Sequence, residues 1–474
     1  MALTKQSEDF PTWYQEVVRT ADLAENSLVR GSMVIKPYGF ALWEAIQSSI
    51  DRRIKDTGHE NVYFPLFIPE RLLEKEKDHV EGFSPQVAVV THAGGQVLEE
   101  PLVVRPTSET IIWATYAKWI QSYRDLPLLY NQWCNVVRWE LRPRLFLRTT
   151  EFLWQEGHTA HETEEEAWAE ARTILYDVYR ASVEEDFAVP VLTGRKSESE
   201  RFPGAQESLT IEALMRDGKA LQSGTSHYFG QNFSRAYDVR FQGRDGEMHH
   251  PYSTSWGTST RLVGGLVMTH GDDSGLRLPP KIAPKQVVIV PIYQDDASRA
   301  RVLEGAASLK KSLHGLRVYV DDREQHRPGH KFHEWELKGV PVRLELGPKE
   351  LDAGEVIVYR RDLGTKVTIP SGGVAEAVRE LLDNIQKTLY DQASAFRAEH
   401  TFAPTTNDEF IDLAKGTRGF IETLWCGEIV CEAKVKDSTK ATIRLLEMEG
   451  DDIDGECLIC GRNATERAVW AQSY

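Results

Sequence analysis

The 474-residue chain is 41% hydrophobic and 27% charged, enough apolar material for two to four domains. It has no run long enough to cross a bilayer, no secretory-type start and only five cysteines, which excludes a disulfide scaffold and predicts a soluble protein of a reducing cytoplasm with no membrane partner. The net charge of −16 argues against a surface coated in nucleic acid, yet residues 281–390 hold 18 Lys and Arg against 16 Asp and Glu, so this segment is +2 and the remainder −18.

The first predicted element is an amphipathic helix: Phe10, Trp13, Tyr14, Val17, Val18 and Ala21 recur at helical spacing behind Asp9, a capping residue. Trp43, Ile46, Ile50 and Ile54 mark a longer helix ended by Gly58. The apolar run 61–68 reads as one strand, and Pro65, which lacks a ladder donor, places it at an edge, a strand end or a subunit contact. Residues 87–90 and 102–104 flank a loop as a hairpin. Arg105-Pro106-Thr107-Ser108-Glu109 then leads into a helix over 110–120, where Thr107 and Glu109 either cap the helix or grip an ammonium group.

Residues 138–161 place phosphate-binding charge inside apolar strands. Residues 136–141 alternate so that Arg138 and Glu140 share a strand face, Arg142-Pro143-Arg144 reverses the chain, and residues 145–154 return carrying Arg148 and Glu151. A salt-bridged surface hairpin would explain the charge but not Phe152, Leu153 and Trp154 beside Gln155, Glu156 and His158; an anion held by Arg138 and Arg148 accounts for more. Cys134, alone in an apolar strand, reads as a core residue.

Residues 164–185 are helical, and 211–221 form a mixed stretch leading into Gln222-Ser223-Gly224-Thr225-Ser226-His227. In Ser255-Trp256-Gly257-Thr258-Ser259-Thr260-Arg261 a glycine turn precedes a helix and puts Arg261 near its start. Free amides and a guanidinium would there bind an anion, or the arginine simply covers the helix end. Two such arginines far apart in sequence point to a triphosphate. Residues 1–280 therefore predict an antiparallel sheet with helices.

A proline-rich linker at 278–284 opens a different grammar. Strand 287–292, helix 298–313, strand 316–320, helix 331–338 and strand 340–346 predict parallel strands with right-handed crossovers. A hairpin about Leu363-Gly364 and a long helix through Val374, Val378, Leu381, Ile385 and Leu389 complete a mixed α/β domain over 281–395. Residues 396–474 form a small α+β domain with Cys426 and Cys431, then Cys457 and Cys460 ahead of Gly461. Four thiolates in two pairs suit a closed, structural Zn²⁺ site, against the alternative of buried thiol pairs or an adventitious disulfide.

Together these segments resemble a class II aminoacyl-tRNA synthetase, specifically a prolyl-tRNA synthetase of the archaeal/eukaryotic type that some bacteria also carry. The resemblance covers essentially the whole chain and is most specific in RPTSET, FLWQEGHTAH and QSGTSH. It implies an α/β fold, α+β overall, with a class II catalytic domain, an anticodon-binding domain and a zinc-bearing C-terminal domain. It further implies a cytoplasmic homodimer that joins L-proline to ATP and transfers it to tRNA(Pro).

The same resemblance implies residue roles. Arg138 and Arg261 would be catalytic, Arg138 on the α-phosphate of ATP and the proline carboxylate, Arg261 on the γ-phosphate with Mg²⁺ sharing the charge. Glu140 would accept from the adenine amino group, Phe152 would stack on the ring, and Thr149, Gln222, Thr225 and Ser259 would add ATP contacts. Proline's ammonium would meet Thr107 and Glu109, and its ring would pack among Phe83, Trp154, Glu156, His158 and His227. Glu336, Arg343 and Lys349 would read anticodon bases, and Tyr474 would tuck its carboxylate toward the active site. The interval between Arg138 and Arg261 is filled by the catalytic fold, which leaves no place for the editing domain many bacterial prolyl enzymes carry there. Thr258 stands where a leucine is expected. An inactive paralogue would have lost a phosphate arginine, and a threonyl enzyme would need zinc ligands in its catalytic domain.

Overall fold

The computed structural model describes residues 3–73, 87–448 and 453–474. Six strands form the antiparallel centre of the first unit: β1 (Leu128–Val137), β2 (Glu151–His161), β3 (Val191–Arg195), β4 (Glu207–Leu214), β5 (Ala220–Gly230) and β6 (Tyr252–Ser259). Their spatial order is β3-β4-β5-β6-β2-β1, so β2, which follows the loop carrying Arg138 and Arg148, and β6, which precedes Arg261, lie side by side. Helix Phe10–Thr20 is capped by Asp9, whose carboxylate accepts from the Thr12 amide. Its Trp13 and Val17 join Trp43 and Ile50 of helix Pro37–Asp56 in the main core. Helix α1 (Glu109–Trp119) brings Trp113 and Tyr116 to a second core with Phe229 and Phe233. Helix α2 (Arg261–His270) follows β6 directly and is apolar enough to be buried on most sides.

The second unit has a five-stranded sheet in the order Val318–Val320, Val287–Pro291, Val342–Leu346, Glu355–Arg360, Thr365–Pro370. The first three are parallel, as their helical crossovers require, and the last two form an antiparallel hairpin. In the C-terminal unit, strands Thr401–Phe402, Phe420–Trp425, Glu466–Ala471 and β7 (Thr442–Leu446) pair with one another, and β7 meets β3 through Leu446 and Arg195. The catalytic and C-terminal sheets are thereby continuous, eleven strands among the described residues.

Several predicted elements are corrected. The run 61–68 is not one strand: Glu60–Asn61 pairs with β1, and Phe67–Pro69 joins a separate sheet with Gln96–Val104 and Ala88–Ala93. The break is held from the side, since the Phe64 amide donates to Gln132 and Arg105 donates to the Phe64 carbonyl. The hairpin strands end at Val137 and resume at Glu151, so Arg138 and Glu140 do not alternate on a strand. Leu145, Phe146 and Leu147 are buried instead of pairing, and the Tyr14 hydroxyl donates to the Leu145 carbonyl at 2.7 Å, so the loop folds into the core. Residues 211–221 hold the end of β4, the hairpin turn at 215–219 and the start of β5. Gly257 is no turn: it sits within β6 because the Trp154 indole lies where its side chain would be, 2.3 Å from an added Cβ. The joint at 278–284 packs Leu278, Ile282 and Ala283 into the main core and is no free linker.

Candidate active site

Two cavities meet on the face of β2, β5 and β6. One, of about 270 Å³, is lined by Thr107, Glu109, Arg138, Trp154, Glu156, His158 and His227, all the described residues expected around an amino acid. The remaining one expected there, Phe83, lies outside the described residues. The other cavity, of about 320 Å³, is lined by Arg138, Glu140, Thr149, Phe152, Gln222, Thr225, Ser259 and Arg261, every residue expected to bind ATP. Arg138, Trp154, Gln222, Thr225 and Gly257 belong to both walls.

Arg138 is held at this junction by a bond from its Nε to the Pro106 carbonyl, 2.9 Å, and its guanidinium lies 5.7 Å and 5.5 Å from the centres of the Phe152 and Trp154 rings. Burial lowers its pKa, while the carboxylates of Glu109 and Glu156 act the other way. Glu156 accepts from Gln132 at 2.9 Å, from Ser108, and meets His158 Nε2 at 3.1 Å. Burial pushes its carboxyl upward, but His158 and Ser108 more than offset this and hold it below the usual value. The Thr107 hydroxyl donates to Glu109, whose other oxygen accepts from Ser255 at 3.3 Å, so neither residue caps α1. His227 bonds Ser208 at 2.8 Å and stacks on Phe202, ring centres 4.5 Å apart. The first cavity thus sets the carboxylates of Glu109 and Glu156 beside the aromatic rings of Trp154 and Phe202.

In the second cavity, Arg261 is pushed down to about 10 by burial and by the charges of Arg148 and Arg138. Three guanidinium groups facing one space are mutually repulsive until an anion enters. Ser259 accepts from the Arg261 amide at 3.1 Å and so covers the first free donor of α2. Thr258, set apart by its residue type, donates to the Ser223 carbonyl at 2.9 Å and ties β6 to β5. Glu140 accepts from the Arg142 amide at 2.8 Å, with Arg148 3.8 Å away. Sequence reasoning missed Lys196, Glu200, Arg201, Phe202 and Pro203, which wall the first cavity; their largely polar run between strands has the appearance of an ordinary loop.

Away from these cavities, Arg343 lies between the rings of Phe332 and Tyr359, 4.3 and 4.2 Å from their centres, and donates to Glu345. Tyr359 in turn donates to Glu336 at 3.0 Å, which groups Glu336 with Arg343, whereas Lys349 is exposed on helix Pro348–Ala353 beyond them. Tyr474 donates its hydroxyl to Asp217 at 2.7 Å and its amide to the Ala220 carbonyl at 3.2 Å, docking the chain's last residues on β5.

Cys426, Cys431, Cys457 and Cys460 place their sulfurs within 4.8 Å of one another, with 3.6 Å between Cys426 and Cys431 and 3.7 Å between Cys460 and Cys426. Sulfurs about 2.3 Å from a tetrahedral Zn²⁺ stand roughly 3.8 Å apart, so the four thiols fit that ion. Gly461, at φ 70°, turns its amide back to the Cys457 carbonyl and closes the second pair. No described helix is long and apolar enough to cross a membrane.

Comparison with known proteins gives three family matches: the tRNA synthetase class II core domain (G, H, P, S and T) over residues 93–270, an anticodon binding domain over 286–381, and the prolyl-tRNA synthetase C-terminal domain over 407–474. Among curated proteins, the chain is 52% identical to "Proline--tRNA ligase 2" of Clostridioides difficile over 100% of its own length and 98% of the relative's. It is likewise 52% identical to "Proline--tRNA ligase" of Chloroherpeton thalassium and of Salinibacter ruber, covering 100% of this chain and 99% of each relative.

Proposed function

This chain belongs to the class II prolyl-tRNA synthetase family, and on that premise we propose that Arg138 joins two substrates across the wall its cavities share. The protein is a proline–tRNA ligase, an ATP-dependent aminoacyl-tRNA synthetase. Proline takes the smaller cavity, its ammonium against Glu109 and Thr107 and its ring among Trp154, Glu156, His158 and His227. ATP takes the other, with Glu140 on the adenine amino group, Phe152 on the ring, Thr149, Gln222, Thr225 and Ser259 as further contacts, and Arg261 on the γ-phosphate. Mg²⁺ carried with the triphosphate would supply further positive charge there.

Arg138 then binds the proline carboxylate and the α-phosphate together. A carboxylate oxygen attacks the α-phosphorus in line, the bond to pyrophosphate breaks, and prolyl-adenylate forms. No proton moves in this step, so the site needs positioning and charge rather than an acid or base. In the second step a terminal ribose hydroxyl of tRNA(Pro) attacks the prolyl carbonyl, the bond to AMP breaks, and the hydroxyl proton leaves with the AMP phosphate. The observation that carries this reading is that Arg138 lines both cavities. Amino-acid-dependent ATP–pyrophosphate exchange tests it: proline should support exchange, and silence with proline but activity with another amino acid would sink it.

The rest of the reading extends the same assignment. Glu336 and the exposed Lys349 belong to the anticodon-reading surface, which the buried Arg343 supports from beneath through Tyr359, and the enzyme is of the archaeal/eukaryotic type. Residues between Arg138 and Arg261 are accounted for by β2 to β6 and the helices packed on them, which supports the absence of editing in cis. Deacylation of Ala-tRNA(Pro) well above the spontaneous rate would contradict that. The four cysteines hold Zn²⁺, and the exposed Tyr63 and Phe67, 69% and 45% accessible near the sheet edge, belong to a homodimer contact of a cytoplasmic enzyme.

A further inference from the structure

One wall of the amino-acid cavity is not held by the catalytic unit alone. Lys196, Glu200, Arg201, Phe202 and Pro203 line it, on the segment leaving β3. Along this segment, successive side chains bind the C-terminal unit. Arg195 donates to both carboxylate oxygens of Glu466, each at 2.6 Å. Lys196 Nζ donates to the Arg444 carbonyl at 2.9 Å, and Ser197 Oγ to Glu432 Oε1 of helix α3 (Ile429–Thr439) at 3.0 Å. Glu200 lies 3.6 Å from Lys436 and 3.9 Å from Arg444.

At the centre Lys196 Nζ meets Glu212 Oε1 at 2.6 Å, and the Arg444 guanidinium closes on both oxygens of the same carboxylate at 3.0 and 3.2 Å. The three side chains are only 3%, 0% and 6% exposed. A buried cation–anion–cation set is a poor source of net stability, because desolvation consumes most of its attraction. It does impose one arrangement, since any displacement leaves a buried charge unpaired. The position of the segment matters to the cavity because Phe202 stacks on His227 across it.

We propose that Lys196, Glu212 and Arg444 are positioning residues that pin residues 196–203 to the C-terminal unit and so set the width of the amino-acid cavity, which makes that unit part of the selection against amino acids larger than proline. The proposal rests on this cavity being the proline site. Its test uses the full-length enzyme with Arg444→Met, with Arg444→Lys as the charge-retaining control, and with Ser197→Ala; neither position lines the cavity. ATP–pyrophosphate exchange gives KM for proline and for ATP, and the kcat/KM ratio of L-proline over L-pipecolate, its six-membered-ring homologue. Hydrogen exchange reads the amides of residues 196–203.

Arg444→Met should raise KM for proline about tenfold, lower the proline/pipecolate ratio about fivefold, move KM for ATP less than about twofold and speed exchange of the segment's amides. Arg444→Lys should recover part of each, and Ser197→Ala should give a smaller change in the same direction. An unchanged ratio in a folded variant, or both KM values rising in step, would overturn the proposal. Should Arg444→Met not fold, Ser197→Ala decides. If the parent enzyme activates an amino acid other than proline, the substrate reading fails, and the clamp stands or falls on amide exchange alone.

Discussion

Arg138 shows how a single residue gains a role from its neighbours. Its guanidinium is fixed by the Pro106 carbonyl and bracketed by two aromatic rings, and although burial lowers its pKa, the carboxylates of Glu109 and Glu156 act the other way, so it presents a buried cation to both cavities. The buried histidines carry the opposite lesson. His161 is pushed down to about 4 and His270 to about 3, burial being the main cause in both, so each is neutral at pH 7. Unfolded imidazoles titrate near pH ~6.5, so as pH falls below that value the unfolded chain takes up protons that the folded one refuses. Stability should therefore be whole above about pH 6.5 and decline through the window down to pH 4, by roughly 3 kcal/mol for His161 alone. Thermal midpoints measured between pH 8 and 4.5 check this, and His161→Gln should flatten the decline; an unchanged slope would place the proton uptake elsewhere.

At the scale of elements, the cavities depend on strands that pass each other without side chains. An added Cβ at Gly257 would lie 2.3 Å from the Trp154 ring, and Trp154 belongs to both cavity walls. Gly257→Ala should cost about 1–3 kcal/mol of stability and, by displacing Trp154, lower exchange activity at least about tenfold. Intact activity in this variant would mean that Trp154 has room to move. This position also shows what was legible beforehand. Periodicity found the helix at Phe10, the βαβ order of the second unit and the antiparallel class of the first, because burial repeats at fixed spacing there. It mistook Gly257 for a turn, since the reason for that glycine is an indole a hundred residues away. It carried the 138–154 strands too far, because Leu145 to Leu147 are apolar for the core and not for a sheet. Anion binding at Arg138 and Arg261 was legible in their settings, whereas the separate roles of Arg138, Glu140 and Arg261 came from the resemblance, and the segment after β3 went unnoticed because polar loop residues carry no periodic mark. The cysteine pairs were legible from spacing alone. With about one Zn²⁺ per chain, chelation should unfold the C-terminal unit first, seen as early proteolysis beyond residue 400; a metal-free preparation with that unit intact would contradict it.

At the scale of the molecule, the units are joined by buried contacts rather than by a tether. Arg361, 4% exposed, donates to both oxygens of Asp272 just past α2, at 2.6 and 2.8 Å, and to the Glu336 carbonyl at 2.9 Å. It thus connects the helix that begins at Arg261 with the surface assigned to the anticodon. Arg361→Met should leave proline-dependent exchange within about twofold while lowering tRNA(Pro) charging about tenfold, because exchange requires only the two cavities. Equal losses in both assays would show that the contact serves only to hold the fold together. On the function proposed above, Arg138 makes one adenylate-forming site from two cavities. The most direct test is calorimetric binding of prolyl-sulfamoyl adenosine, a stable mimic of prolyl-adenylate. One molecule per chain should bind at least about a hundredfold tighter than either proline or ATP, with most of that gain lost in Arg138→Ala. Affinity no better than that of ATP, or unaffected by removing Arg138, would contradict the account.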